Sequence, residues 1–173
     1  MSDKSWEDTI KKAFIRTEVM IISQNKVLIC QRKNNPEEYV FPGGHMDLDE
    51  SDIRDTAVRE VKEEVGYSID KQRLLIIDTH VNQYGDEEPR ITVYFLYQDD
   101  DLVNKKPEQN DDVRKTAWYT PSESEETVLD AQAQIINHFL PKFTKLVNES
   151  NKKLDNSLEM SEYLSWLGLI ENN

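Results

Sequence analysis

Residues 52 to 65 read Asp-Ile-Arg-Asp-Thr-Ala-Val-Arg-Glu-Val-Lys-Glu-Glu-Val, the segment that most narrows what the chain can fold into. Ile53, Ala57, Val61 and Val65 recur every four residues, the spacing of one helix face, so the segment needs an apolar surface to pack on. Glu60, Glu63 and Glu64 stand three and four residues apart, and a helix turning about 100° per residue gathers them on nearly one face, turned away from that stripe. Like charges at this spacing repel, whereas clusters of oxygen ligands suit hard ions such as Mg2+, Mn2+ and Ca2+. A solvated acidic face is the plain alternative, and the neighbouring residues decide between the two. Asp52 can cap the helix start, with Asp55 three residues on resembling a capping box, and Gly66 is placed to stop it.

Ahead of this helix, Phe41-Pro42-Gly43-Gly44-His45 offers bare backbone that a ligand can approach closely. Phe14 to Ser23 and Lys26 to Arg32 are apolar β-rich runs joined by Gln24-Asn25, a tight hairpin turn. Short strands are expected at Tyr39 to Phe41 and Met46 to Leu48, and an antiparallel pair at Arg73 to Val81 and Arg90 to Gln98. A polar surface loop, Asp99 to Asp112, precedes a last strand at Val113 to Tyr119. Glu125 to Val147 reads as a long helix, Asn148 to Asn156 as a linker, and Leu158 to Ile170 as a short amphipathic helix with Tyr163, Leu164, Trp166 and Leu167. The expected division is a domain over 1–147 and an extension over 148–173, which packs on its own domain, forms a homodimer contact or acts as a lid. Strands mixed with few helices point to an α/β or α+β layered domain.

A length of 173 residues with 37% apolar residues suits one domain with a sizeable core. The net charge of −13 disfavours nucleic acid and anionic membranes as partners, so a polyanionic substrate must be met by local positive charge or metal. The polar N-terminus and the lack of a long apolar run make a cytoplasmic location the expectation. Cys30, alone in an apolar strand, is read as a buried thiol without chemistry, and His45, His80 and His138 as structural, since no pair has zinc-like spacing.

Gly44, five residues, Glu50, then Arg59-Glu60-Val61-Lys62-Glu63-Glu64-Val65-Gly66-Tyr67 resembles the Nudix box, with eight residues instead of the usual seven between Glu50 and Arg59. We read this as a one-residue insertion, Ser51 being the extra loop residue. The resemblance covers residues 10 to 147 and implies an α/β/α sandwich with a mixed sheet, to which the C-terminal helix is added. It further implies hydrolysis of a nucleoside diphosphate derivative by water attack at phosphorus, with Mg2+ or Mn2+ and more than one ion when substrate is bound. Nucleoside triphosphates, dinucleoside polyphosphates and nucleotide sugars are the substrate classes it implies.

By position in the box, Glu60 and Glu64 are the implied metal ligands, Glu63 a further ligand or water-positioning group, and the Gly43 carbonyl a backbone ligand. Glu50 is implied to pair with Arg59. The general base is one of the box glutamates or a Glu from another loop. Arg32 resembles a phosphate-binding Arg of the family, and Glu108 a downstream acidic residue, against which stands an ordinary solvated loop. Tyr84, seventeen residues after Tyr67, resembles the tyrosine of the diadenosine polyphosphate group, and no proline stands at the usual ADP-ribose position. Two other readings stay open: a noncatalytic module that binds a nucleotide or a protein, and an mRNA-decapping enzyme, disfavoured by the acidic composition.

Overall fold

The computed structural model describes residues 13–82, 88–108, 113–120 and 132–137. The extension over 148–173, most of the long late helix, Tyr84 and His138 lie outside the described residues. Strands β1 (Phe14–Ser23), β2 (Lys26–Arg32) and β3 (Tyr39–Val40) precede helix α1 (Ile53–Val65), followed by β4 (Leu75–Asn82), β5 (Arg90–Gln98) and β6 (Val113–Tyr119). The sheet runs β3-β2-β1-β5-β4, with β6 also on β2. It is mixed: β1 and β5 are parallel from Phe14↔Arg90 to Ile22↔Gln98, and β4 and β5 form the expected antiparallel pair.

Side chains alternating across the strands feed two cores. Val19, Ile21, Leu28, Cys30, Phe95 and Tyr97 face the side covered by Ala57, Val61 and Val65 of α1. Met20, Ile22, Val27, Ile29 and Leu96 face the other side, where Ile135 and Ile136 of the helical stretch 132–137 pack. Helix, sheet and helix are therefore stacked in the α/β/α order implied above.

Local chemistry explains the element ends. Gln24 and Asn25 both take positive φ, 47° and 60°, as a hairpin turn matched to the strand twist requires. Gly66 closes α1 in the left-handed region (φ 74°) and donates to the Lys62 carbonyl. Asp52 caps the start by accepting from the Arg54 amide at 2.9 Å. The capping box expected of Asp55 does not form, because that carboxylate turns outward to Lys71 Nζ at 2.6 Å.

Three further expectations change. Met46 to Leu48 is not a strand: after one bridge, Arg16↔His45, the chain leaves the sheet in a turn closed by Glu50, and Leu48 is exposed. The strand expected from Arg73 begins at Leu75, since Asp70 accepts from the Gln72 amide and starts a 3-10 turn over Lys71–Arg73. The polar loop after Asp99 is not wholly at the surface. Leu102 is buried in the α1 core, and the Tyr67 hydroxyl donates to the Lys105 carbonyl at 2.8 Å.

The opening between β1 and β2 positions the site. These strands pair only beside the hairpin, at Ile22↔Val27 and Ser23↔Lys26. Farther along, β2 turns to β3, while β1 bonds instead to the glycine loop: Val19 N donates to Pro42 O at 2.9 Å and Thr17 N to Gly44 O at 2.8 Å. The loop is thus stitched into the sheet beneath α1.

Candidate active site

Gly43 is a glycine for steric reasons, and a side chain on Gly44 would displace the Glu60 carboxyl group. A Cβ on Gly43 (φ 155°) would lie 2.1 Å from the Thr17 carbonyl oxygen, and one on Gly44 2.4 Å from the Glu60 carboxyl group. Bare backbone here lets α1 bring its acids down onto the loop. The Gly43 amide donates to Glu64 Oε2 at 2.8 Å, tying the last helical turn to the loop.

A cavity of about 380 Å³, a size suited to a small ligand, opens at this junction. Its lining includes the glycine loop, the acids Asp47, Glu60 and Glu64, and the basic side chains Arg16 and Arg32.

The three box carboxylates are not equivalent, which corrects the expectation that they share a face turned from the core. Glu60 and Glu64 are half-buried and line the cavity; Glu63 is exposed and does not. Burial raises the Glu64 carboxyl to about 7, with Glu60 adding to the rise and the Gly43 amide opposing it. Burial also raises Glu60, against the pull of Arg59. Such strained carboxylates favour a proton or a cation beside them. The donors are all oxygen and stand against open backbone, so the residues present fit a hard divalent ion. Among the described residues no three His, Cys, Asp or Glu side chains are already drawn to one point. Arg59 engages Glu60 and Glu63, and Gly43 engages Glu64.

Arg59 is the hub of this side. Its Nε donates to Glu50 Oε1 at 3.0 Å, Nη1 to Glu60 at 2.8 Å and Glu63 at 3.1 Å, and Nη2 to the His45 carbonyl at 2.9 Å. Glu50 reaches Arg59 despite the inserted residue, because its other oxygen accepts from Asp47 N and Thr56 Oγ1 and folds the longer loop back on α1. The Arg59 hydrogen bonds hold the Glu50 carboxyl down at about 2.

Arg32 lines the cavity and lies 3.5 Å from Glu38. Glu108 does not line it: its amide donates to Val65 O at 3.0 Å, and its side chain lies against Gly66, just past the C-terminal end of α1. Tyr84 falls outside the described residues. Cys30 is fully buried, and burial followed by the charge of Glu64 raises its thiol well above the ordinary range, a setting that disfavours the reactive thiolate. His80 bonds Asp78 at 3.0 Å. His45 lines the cavity, held below its usual pKa by burial and then by Arg16, Arg90 and Arg32.

Sequence reasoning passed over Arg16 and Glu18. Both are buried, and Arg16 Nη2 pairs with Glu18 Oε1 at 3.1 Å. The available signal was two charges at alternate positions within an apolar strand, facing the side that Met20 and Ile22 continue.

Comparison with known proteins agrees with this geometry. The family model of the NUDIX domain matches residues 15–143. An ADP-ribose pyrophosphatase of Methanocaldococcus jannaschii is 30% identical over 105 residues, 58% of this chain and 57% of the relative, so the match spans little more than half of that protein. Two solved structures share the fold. The NUDIX domain of Shewanella oneidensis NrtR, complexed with ADP ribose, has a TM-score of 0.65 at 15% identity, covering 84% of this chain and 99% of that one. A bifunctional NMN adenylyltransferase/ADP ribose pyrophosphatase of Francisella tularensis, with AMP and a Mn ion, has a TM-score of 0.59 at 22% identity, covering 79% and 44%. With the box residues gathered on α1, the glycine loop beneath them and a domain match over most of its length, this chain belongs to the Nudix hydrolase family.

Proposed function

We propose that the chain is a divalent-metal-dependent pyrophosphohydrolase, cleaving a phosphoanhydride bond of a nucleoside diphosphate derivative by water attack at phosphorus. One observation carries this reading: a single cavity joins the Glu60 and Glu64 carboxylates, set on open glycine backbone, with the guanidinium groups of Arg16 and Arg32. Phosphate chemistry needs both, a place for a hard cation and fixed positive charge for the remaining oxygens.

Glu60 and Glu64, with the Gly43 carbonyl and Glu63 beside them, would hold Mg2+ or Mn2+, and the bound ion would neutralise phosphate oxygens and lower the pKa of the attacking water. Arg59 and Glu50 position the helix end and keep Glu63 within one guanidinium of Glu60, where it orients water. Arg32, which lines the same cavity, would bind a phosphate group. Glu64, whose carboxyl stands at about 7 in the metal-free arrangement, gives up its proton readily when a cation arrives near neutral pH.

The name of the archaeal relative and the ADP ribose in the Shewanella complex support ADP-ribose as the first substrate to test. The test is a hydrolysis screen in Mg2+ or Mn2+ over ADP-ribose, nucleotide sugars, nucleoside triphosphates, dinucleoside polyphosphates and capped RNA. Carrying it out in 18O-labelled water, with mass spectrometry of the products, locates the attacked phosphorus. Metal-dependent cleavage that Glu64→Gln abolishes is the expected result. Absence of metal-dependent product from every substrate refutes the reading.

A further inference from the structure

Arg16 lines the cavity with Glu60 and Glu64, where the hydrolytic reading above uses it only as a positive charge, and its partner Glu18 has no role there. Arg16 is 8% exposed and Glu18 4%, so both charges have left water. Such a pair is retained at a cost unless its remaining donors and acceptors are used. The acid is fully committed: one oxygen takes Arg16 and the other accepts from Gln132 Nε2 on the helical stretch behind the sheet. The cation is not. Arg16 Nε is buried without a hydrogen-bond partner, and the residue lines the same cavity as Glu60 and Glu64. Arg32, across the opening between β1 and β2, likewise has a buried Nε with only the 3.5 Å approach of Glu38.

In a chain of net charge −13, a deeply buried guanidinium with an unpaired donor, on a residue that lines a ligand cavity, is suited to an anion. We propose that Arg16, oriented by Glu18 and flanked by Arg32, forms an anion subsite that selects substrates carrying a further phosphate beyond the anhydride that is cleaved. This rests on the hydrolytic reading and deepens it by naming the substrate class. Two kinds of molecule carry that group: a sugar-phosphate end and a longer polyphosphate chain. A neutral sugar end, as in ADP-ribose itself, leaves the buried Nε without a charged partner, which weakens binding. Glu18 is a positioning residue here, since it acts through Arg16.

The experiment uses the full chain with Mg2+ and two matched pairs, ADP-ribose against ADP-ribose 1″-phosphate, and ADP against ATP. In the wild type, kcat/KM is expected to favour the phosphate-bearing member of at least one pair by about 10- to 100-fold, the scale of a charge-assisted hydrogen bond. Which pair shows it distinguishes the two sources. Arg16→Gln, and the double variant Arg16→Gln/Glu18→Gln that leaves no unpaired buried charge, should bring that ratio toward one through KM, with Arg16→Lys restoring part of it. A wild-type ratio of one or less in both pairs, or a ratio that the variants leave intact, overturns the proposal. If the wild type cleaves none of the four, the wider substrate screen decides the hydrolytic reading, and calorimetry with inorganic tripolyphosphate decides the subsite. Binding that weakens in Arg16→Gln upholds it, and equal or absent binding overturns it.

Discussion

Glu64→Gln should make the metal-free protein more stable while abolishing its activity, and the gain should depend on pH. Burial raises the Glu64 carboxyl from 4.5 to about 7, a shift worth about 3 kcal/mol between protonation states. The folded state prefers the protonated acid, so this contribution is fully present below 4.5 and lost as pH rises through about 7. Glutamine imitates the protonated form and can still accept from the Gly43 amide. At pH 8 in EDTA the variant should therefore exceed the wild type by about 3 kcal/mol, and near pH 4.5 the two should almost coincide. Loss of the neighbouring charge also relieves Glu60, an effect of the same sign. Urea unfolding followed by tryptophan fluorescence across this range measures the difference, in which carboxylates common to both proteins cancel. Adding Mg2+ at pH 8 should raise the wild-type midpoint more than that of the variant. A difference independent of pH, or a variant less stable at pH 8, would refute the argument that Glu64 is held against its ionisation.

Gly43→Ala places a Cβ 2.1 Å from the Thr17 carbonyl oxygen at a φ of 155°, so melting experiments should show destabilisation of at least about 2 kcal/mol. Glu50→Gln weakens the grip on Arg59 without touching a proposed metal ligand; titration with Mg2+ should show the apparent metal affinity falling about 10- to 100-fold with a near-native far-UV spectrum. Asp52→Ala removes the cap on the Arg54 amide and a 2.9 Å contact with Lys71, and should lower the denaturant midpoint while hydrolysis persists in the folded protein.

Much of the fold was legible because its signals are local. The Gln24-Asn25 turn, the bounds of β1, β2, β5 and β6, the Asp52 start and the Gly66 stop follow from choices within a few residues. The expectations that failed depended on distant partners. Asp55 met Lys71 from another turn, and Leu102 found the α1 core from inside a charged loop. The Met46 to Leu48 run left the sheet because Glu50 closes a turn beneath it.

The sequence by itself determined that an acidic helix follows a glycine loop, since motif spacing and helix periodicity are properties of the chain. Tertiary structure alone decided that Glu60 and Glu64 line the cavity while Glu63 does not, that Glu50 reaches Arg59 across the inserted residue, that β1 runs parallel to β5, and that Arg16 and Glu18 are buried, with Arg16 lining the same cavity. The physical reason is that desolvation and Coulomb interactions depend on what surrounds a group in space, and the surroundings of these charges come from strands, loop and helix far apart in the chain.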